Sequence, residues 1–311
     1  MMLGRKRGGL SLPVSPGALL GAIGLAQEQG AAPVRLDLFV DDSLTPALLA
    51  YAKEAFRPQG AAAELGFTLN IMSYSDEPVW VDEEAALTVL LADSSVATGR
   101  ILSEALGSQL LAVVVTAAPA RLERITREQG HEIDPRFLVA ADEEIEADER
   151  FARLFEALGE WIVRRLPDEA FALARALSFV RGPFIASAIQ KTALQNAAIA
   201  AVFFLPGADM PLLTLNQIKL FLLIAGVYDA GLDRERLAQL ALLLASGLGF
   251  RALARRLVGL VPVLGWAVRG GVGYTATVAI GKAAQEFFER GGTLKLVAES
   301  LTPSVLHGKK V

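Results

Sequence analysis

The residues of this chain best placed to do chemistry are three carboxylates. Asp41 and Asp42 close the alternating apolar run Arg35–Val40, and Asp93 follows the run Ala86–Leu91. Proteins built of alternating strands and helices gather their sites at the carboxyl ends of strands. Acid–base or nucleophilic work there needs a histidine, cysteine or lysine within hydrogen-bond reach. None accompanies these acids, so Asp41, Asp42 and Asp93 read as solvated loop residues. His131, between polar neighbours and followed by Glu132 and Asp134, reads as a surface residue. Cysteine is absent, which excludes disulfides, thiolate metal sites and thiol redox chemistry. Two histidines in 311 residues argue against a histidine-built metal centre.

A phosphate loop fares no better. It needs glycines, so that backbone amides can approach phosphate, together with a lysine and a Ser or Thr. The turn after the first strand reads Asp41-Asp42-Ser43-Leu44-Thr45-Pro46, with two acids, no glycine and no lysine. Gly281-Lys282 is followed by Ala283 within a helix. Two glycine patterns, Gly247-x-Gly249-x-x-Ala252 and Gly271-x-Gly273-x-x-Ala276, lack the preceding strand that a dinucleotide site requires, and read as packing devices. Ala267, Gly271, Thr275, Ala279 and Ala283 recur every four residues, a small-residue stripe expected to let helix backbones approach closely. Asp209, Asn216, Gln217 and Lys219 surround a turn bounded by Pro206 and Pro211. A buried charge needs a partner, so Asp209 is expected to pair with Lys219 or Arg255, or to cap a helix. The functional alternative for Asp209, Gln217, Lys219 and Arg255 is contact with a lipid headgroup or an ion.

The elements that must position these groups come from periodicity. Strands are expected at Arg35–Val40, Phe67–Met72, Ala86–Leu91, Leu110–Val115 and Phe137–Val139, alternating with helices at Thr45–Phe56, about Ser95–Leu106 (closed by Gly107) and Arg121–Glu128. Apolar strands separated by helices predict a mostly parallel sheet covered on both faces. Two connecting helices, about Arg150–Arg165 and Glu169–Val180, lead to Arg181-Gly182-Pro183, which reads as a domain boundary. Beyond it only helices are expected, about five of them. One spans about Phe184–Leu205, one opens at a capping box Thr214–Gln217, one is capped by Asp233, a short basic one covers Phe250–Leu257, and the last spans Gly265–Arg290. The expected organisation is an N-terminal helical segment at 1–33, a three-layer α/β domain at 34–150, connecting helices at 151–181, an apolar helical domain at 182–292 and a tail at 293–311. The fold class is α/β plus all-α, the first domain Rossmann-like.

Charge divides the same way. Residues 35–150 carry 22 acidic and 9 basic groups, whereas residues 181–311 carry 7 acidic and 14 basic. Basic charge beside apolar sequence suits an anionic lipid leaflet. The stretch Leu257–Gly281 is the only one long enough to cross a bilayer, with Arg269 at its middle. The segments from Lys191 to Asp209 and from Lys219 to Asp229 suit a hairpin dipping into one leaflet instead. Arg5-Lys6-Arg7 loosely imitates a signal peptide, but Pro13 and Pro16 interrupt the uncharged stretch from Gly8 to Gln27, and Ser15-Pro16 reads as a helix start. The expected place is the cytoplasmic side of the membrane, with a soluble cytoplasmic protein as the alternative.

Two groups of residues carry a family resemblance. The first is Pro206-Gly207-Ala208-Asp209 with Gln217-Ile218-Lys219, Tyr228 and Gly231; the second is Leu260-Val261-Pro262-Val263-Leu264-Gly265 with Thr275, Gly281 and Phe287-Phe288. Together they resemble the YcjF-like family, domain of unknown function 697, over about Ala193–Arg290. The resemblance implies a membrane-associated domain that often follows a GTPase domain. Here the α/β domain lacks the phosphate loop, and Thr116-Ala117-Ala118-Pro119 stands where the base-reading motif belongs. It implies a degenerate, nucleotide-free relative, and no catalytic residue carries over. The expectation is a non-enzymatic scaffold with no cofactor, no metal and no nucleic-acid partner, contacting membrane lipids and binding a protein through its acidic domain. The alternatives are a GTPase-like nucleotide binder with an atypical loop, and a lipid- or ion-handling helical domain.

Overall fold

The computed structural model describes residues 33–60, 66–75, 82–202, 210–228 and 266–291. The chain forms two compact units, one ending at Ala186 and the other beginning at Ser187.

The first unit is built on five parallel strands, β1 (Val34–Asp41), β2 (Phe67–Tyr74), β3 (Leu87–Leu91), β4 (Ala112–Thr116) and β5 (Leu138–Ala140), in the order β2-β1-β3-β4-β5. Every residue of β3 and β4 is buried, as sequences that are apolar but for Thr88 and Thr116 require of central strands covered on both faces. On one face, α2 (Thr98–Gly107) and α3 (Pro119–Glu128) bury Ile101, Leu102, Ala105 and Leu122 against Phe39, Leu90 and Val114. The opposite side holds α1 (Pro46–Ala55) and α4 (Ala147–Arg165), joined through rings: Tyr51 and Phe56 lie 5.2 and 5.8 Å from Phe155. Thr45 caps α1, its hydroxyl accepting Leu48 N–H at 3.3 Å with Pro46 in the first turn. The turn after α2 is left-handed at Gln109 (φ 62°) rather than at the expected Gly107, which stays inside the helix.

Residues 151–181 do more than connect. Leu154, Phe155, Leu158 and Ile162 of α4 and Phe171, Leu173 and Ala174 of α5 (Ala170–Ala176) are buried core residues of this unit. The expected boundary at Arg181-Gly182-Pro183 falls inside α6 (Ser178–Val202), which carries Pro183 within it. Proline in a helix interior removes the donor to the carbonyl four residues back, here Phe179. That carbonyl turns towards α4, where a Cβ on Gly159 would stand 2.5 Å from it. The glycine admits the close approach, and the helix continues through its proline.

The second unit contains the rest of α6, then α7 (Met210–Val227) and α8 (Trp266–Glu289). Helix α7 starts one turn before the expected capping box, with Pro211 at its second position, so Thr214 is a buried helical residue and no cap. Helices expected between 229 and 265 lie outside the described residues, as do the segments expected at 1–32 and 293–311. Among the described residues no helix is long and apolar enough to cross a membrane. The described part of the expected Leu257–Gly281 span, from Trp266 onward, belongs to α8.

The small-residue stripe of α8 is corrected by burial. Gly271, Thr275, Ala279 and Ala283 are exposed, and a Cβ on Gly271 would meet nothing within 4 Å. The buried face runs two residues out of phase, through Thr277, Gly281, Ala284 and Phe288, with half-buried Gly273 at its start. A Cβ on Gly273 would lie 3.1 Å from the Asn196 carbonyl oxygen, and one on Gly281 would lie 2.5 Å from Ile189 Cγ1. Four-residue spacing describes every face of a helix equally well; contact selects among them. The side chain of Ala267 lies outside the described residues.

Candidate functional site at the carboxyl edge of the sheet

In a doubly wound sheet, ligands bind where the strand order reverses, in the crevice beyond the carboxyl ends of the two strands on either side. Here the reversal lies between β1 and β3, and the loops after them are Asp41–Ser43 and Ala92–Ser95. Asp41 and Asp93 are only 2% and 6% exposed. Neither belongs to a solvated loop, which corrects the expectation for these two; Asp42 is exposed as expected and takes a hydrogen bond from the Ser73 hydroxyl.

Asp41 is a clamp. Its Oδ1 accepts Ser43 N–H at 2.8 Å, and its Oδ2 accepts the backbone N–H groups of Asp93, Ser94 and Ser95 at 3.0, 3.0 and 2.8 Å. Burial alone would raise this carboxyl, but the amides of Asp93, Ser43 and Ser95 and the Ser43 side chain outweigh it and hold it below the ordinary value of 3.8. The loops are tied further by Ser94 Oγ, which donates to Ser43 Oγ at 2.7 Å, and by Ser95 Oγ, which donates to the Ser75 carbonyl at 3.0 Å. Beneath them Tyr74 Oη meets Thr98 Oγ1 at 3.0 Å, and burial pushes the phenol well above its ordinary range.

Asp93 points the other way. Its carboxyl is raised, first by burial and also by Asp41, against the opposing pull of Arg121, whose Nη1 stands 3.7 Å away. Thr116, at the end of β4, turns its hydroxyl to the Ala118 N–H at 3.1 Å just before Pro119 starts α3. That motif is spent on a helix start.

A cluster of backbone amides converging at a switch point is what a phosphate would use. Here the chain's own carboxylate occupies it. Sequence reasoning misses the serines because Ser94 and Ser95 look like ordinary turn residues. The available signal is an acid two residues before Ser43, the spacing of a turn in which the side chain accepts its own backbone N–H.

His131 is half-buried, seated against α2 where a Cβ on Gly99 would lie 2.5 Å from its own Cβ. It is a packing residue rather than a free surface one. Of the polar cluster expected in the helical unit, Asp209 and Arg255 lie outside the described residues; Gln217 is half-buried and Lys219 exposed, both on α7. The polar contact that is described there joins other residues: Asn196 Nδ2 donates to Thr277 Oγ1, and Asn216 Nδ2 to Asn196 Oδ1, each at 2.9 Å. Among the described residues no group of three or more metal-ligating side chains converges. Comparison with known protein families, curated proteins and solved structures finds no match.

Proposed function

We propose that this chain is a non-enzymatic, membrane-associated scaffold. Its first unit keeps the layout of a nucleotide-binding domain without taking a nucleotide and serves as a protein-binding module, while its helical unit meets lipid. The observation that supports this reading most is the Asp41 carboxylate seated on the amides of Asp93, Ser94 and Ser95. A nucleotide phosphate would have to displace one buried anion and lie beside a second, Asp93, at a cost that no lysine among the described residues offsets. The membrane part of the reading is supported by the basic balance of residues 181–311 and by Leu194 and Leu212, large apolar side chains that are 56% and 44% exposed on α6 and α7. Resemblance of about Ala193–Arg290 to the YcjF-like family points the same way.

The test is fractionation of cells producing the full chain, followed by an alkaline carbonate wash of the membranes. The chain is expected in the membrane fraction before the wash. Recovery entirely in the supernatant without detergent would overturn the membrane part of the reading.

A further inference from the structure

We propose that the groove between β5 and α4 is the docking site for an extended peptide of a partner protein, added antiparallel to β5 with an acidic carboxyl-terminal end. This rests on the reading of the first unit as a protein-binding module and names its site. Among the described residues, strand β5 ends the sheet and pairs only with β4. Ala141 N–H donates to Thr116 O at 2.9 Å, so Val139 and Ala141 turn their backbone groups to β4. By the alternation of a parallel ladder, the N–H and C=O of Ala140 between them point away from the sheet, and Ala140 is exposed. Such an edge is a template for one more strand.

Helix α4 runs back alongside β5. At its start Arg150 reaches the carbonyls of Glu143 and Ile145, and near its end Trp161 Nε1 donates to the Arg136 carbonyl at 2.9 Å. Between helix and strand lies a cleft of about 380 Å³, with Ala140, Ala157 and Trp161 in its lining. Ala157 is small, which leaves room for the alternate side chains of an added strand.

The two ends of this groove differ in charge, and that sets both the direction and the chemistry of the guest. At the carboxyl end of β5 stand exposed Asp142, Glu143 and Glu144; at the other end stand Arg136, Arg164 and Arg165. Asp134 holds Arg136 at 2.5 and 2.9 Å, and Glu160 lies 3.5 Å from Arg164. Arg165 has no carboxylate within salt-bridge distance among the described residues. Its guanidinium is held instead over Phe137 and Trp161, 5.8 Å from each ring, and bonds the Arg136 carbonyl at 3.4 Å. A cation positioned by rings is pre-organised for a carboxylate. An antiparallel guest puts its own carboxyl terminus there and its amino end beside the acids; a parallel guest would reverse both.

The experiment selects a random octapeptide library, displayed with free carboxyl termini, on the full-length chain. Enriched peptides are then measured against Arg165→Glu and Ala140→Pro, with far-UV circular dichroism as the folding control. Proline at 140 removes only a donor that points outward, so the ladder survives it. The expected result is acidic residues at the last two peptide positions and an affinity loss of roughly tenfold or more in both variants. If one variant fails to fold, the other carries the test. Peptides without an acidic end, or bound by both variants as tightly as by the unsubstituted chain, overturn the site, as does a dimer of the chain that Ala140→Pro dissolves. Those outcomes leave the nucleotide-free reading standing, because that reading falls only on nucleotide binding.

Discussion

Asn196 and Thr277 stand 81 residues apart and meet through a 2.9 Å hydrogen bond, both side chains fully buried. Thr277 passes its own proton to the Gly273 carbonyl at 2.8 Å, and Asn216 completes the chain of bonds from α7. One amide thus fixes the mutual register of three helices whose buried faces are otherwise mostly apolar. Asn196→Ala would leave buried groups without partners and is expected to cost about 2–4 kcal/mol in denaturant unfolding. In a double-mutant cycle with Thr277→Ala the two losses should fall short of adding, by about 1 kcal/mol or more. Strict additivity would mean the bond contributes nothing to the register.

The glycines of the close approaches and the glycine of the exposed stripe should respond oppositely to one methyl group. At Gly159 the new Cβ would press on the Phe179 carbonyl, and at Gly281 on branched, buried Ile189. Each Gly→Ala change is expected to destabilise by about 1–3 kcal/mol. Gly271→Ala meets open space and should be neutral, or stabilising by up to about 1 kcal/mol from helix propensity. Thermal unfolding of the three variants checks the ordering.

The sheet is legible in the sequence because its strands are short apolar runs bounded by turn residues, a pattern that leaves one physical solution. Leu87–Leu91 and Ala112–Thr116 are buried on both faces and could hardly be elsewhere. The phase of α8 is not legible there. Ala267 to Ala283 and Gly273 to Gly281 share the same spacing, and only the position of Asn196 and Ile189 on a distant helix decides between them. The Asp41 clamp is hidden for a related reason. A carboxylate after a strand looks solvated until the loop from residue 92 to 95, half a hundred residues away, turns its amides toward it.

That clamp makes a prediction about acid. Asp41 is held below 3.8 in the folded chain, so its contribution is complete above that value and fades as pH falls through the lower folded value. Asp41→Asn keeps the shape and removes the charge from four hydrogen bonds, at an expected cost of about 3 kcal/mol at neutral pH. Urea unfolding between neutral pH and the acid limit should show wild type and variant converging as pH drops. A constant gap would mean the carboxylate charge is not what the amides require.

Asp93 should behave in the opposite sense. Its carboxyl is raised, chiefly by burial, so the folded chain carries a penalty above the raised value that is relieved as pH falls through it towards 3.8. Asp93→Asn is therefore expected to raise the unfolding midpoint at neutral pH despite the lost Arg121 pair, with the advantage shrinking on acidification. A lowered midpoint at neutral pH would show that the Arg121 pair outweighs burial.

On the reading proposed above, the switch point between β1 and β3 is filled by the chain's own carboxylate and takes no nucleotide. Calorimetric titration of the full-length chain with GTP and with ATP, each with magnesium, tests it most directly. No saturable heat is expected for either. Binding in the micromolar range, about −8 kcal/mol, would overturn that reading.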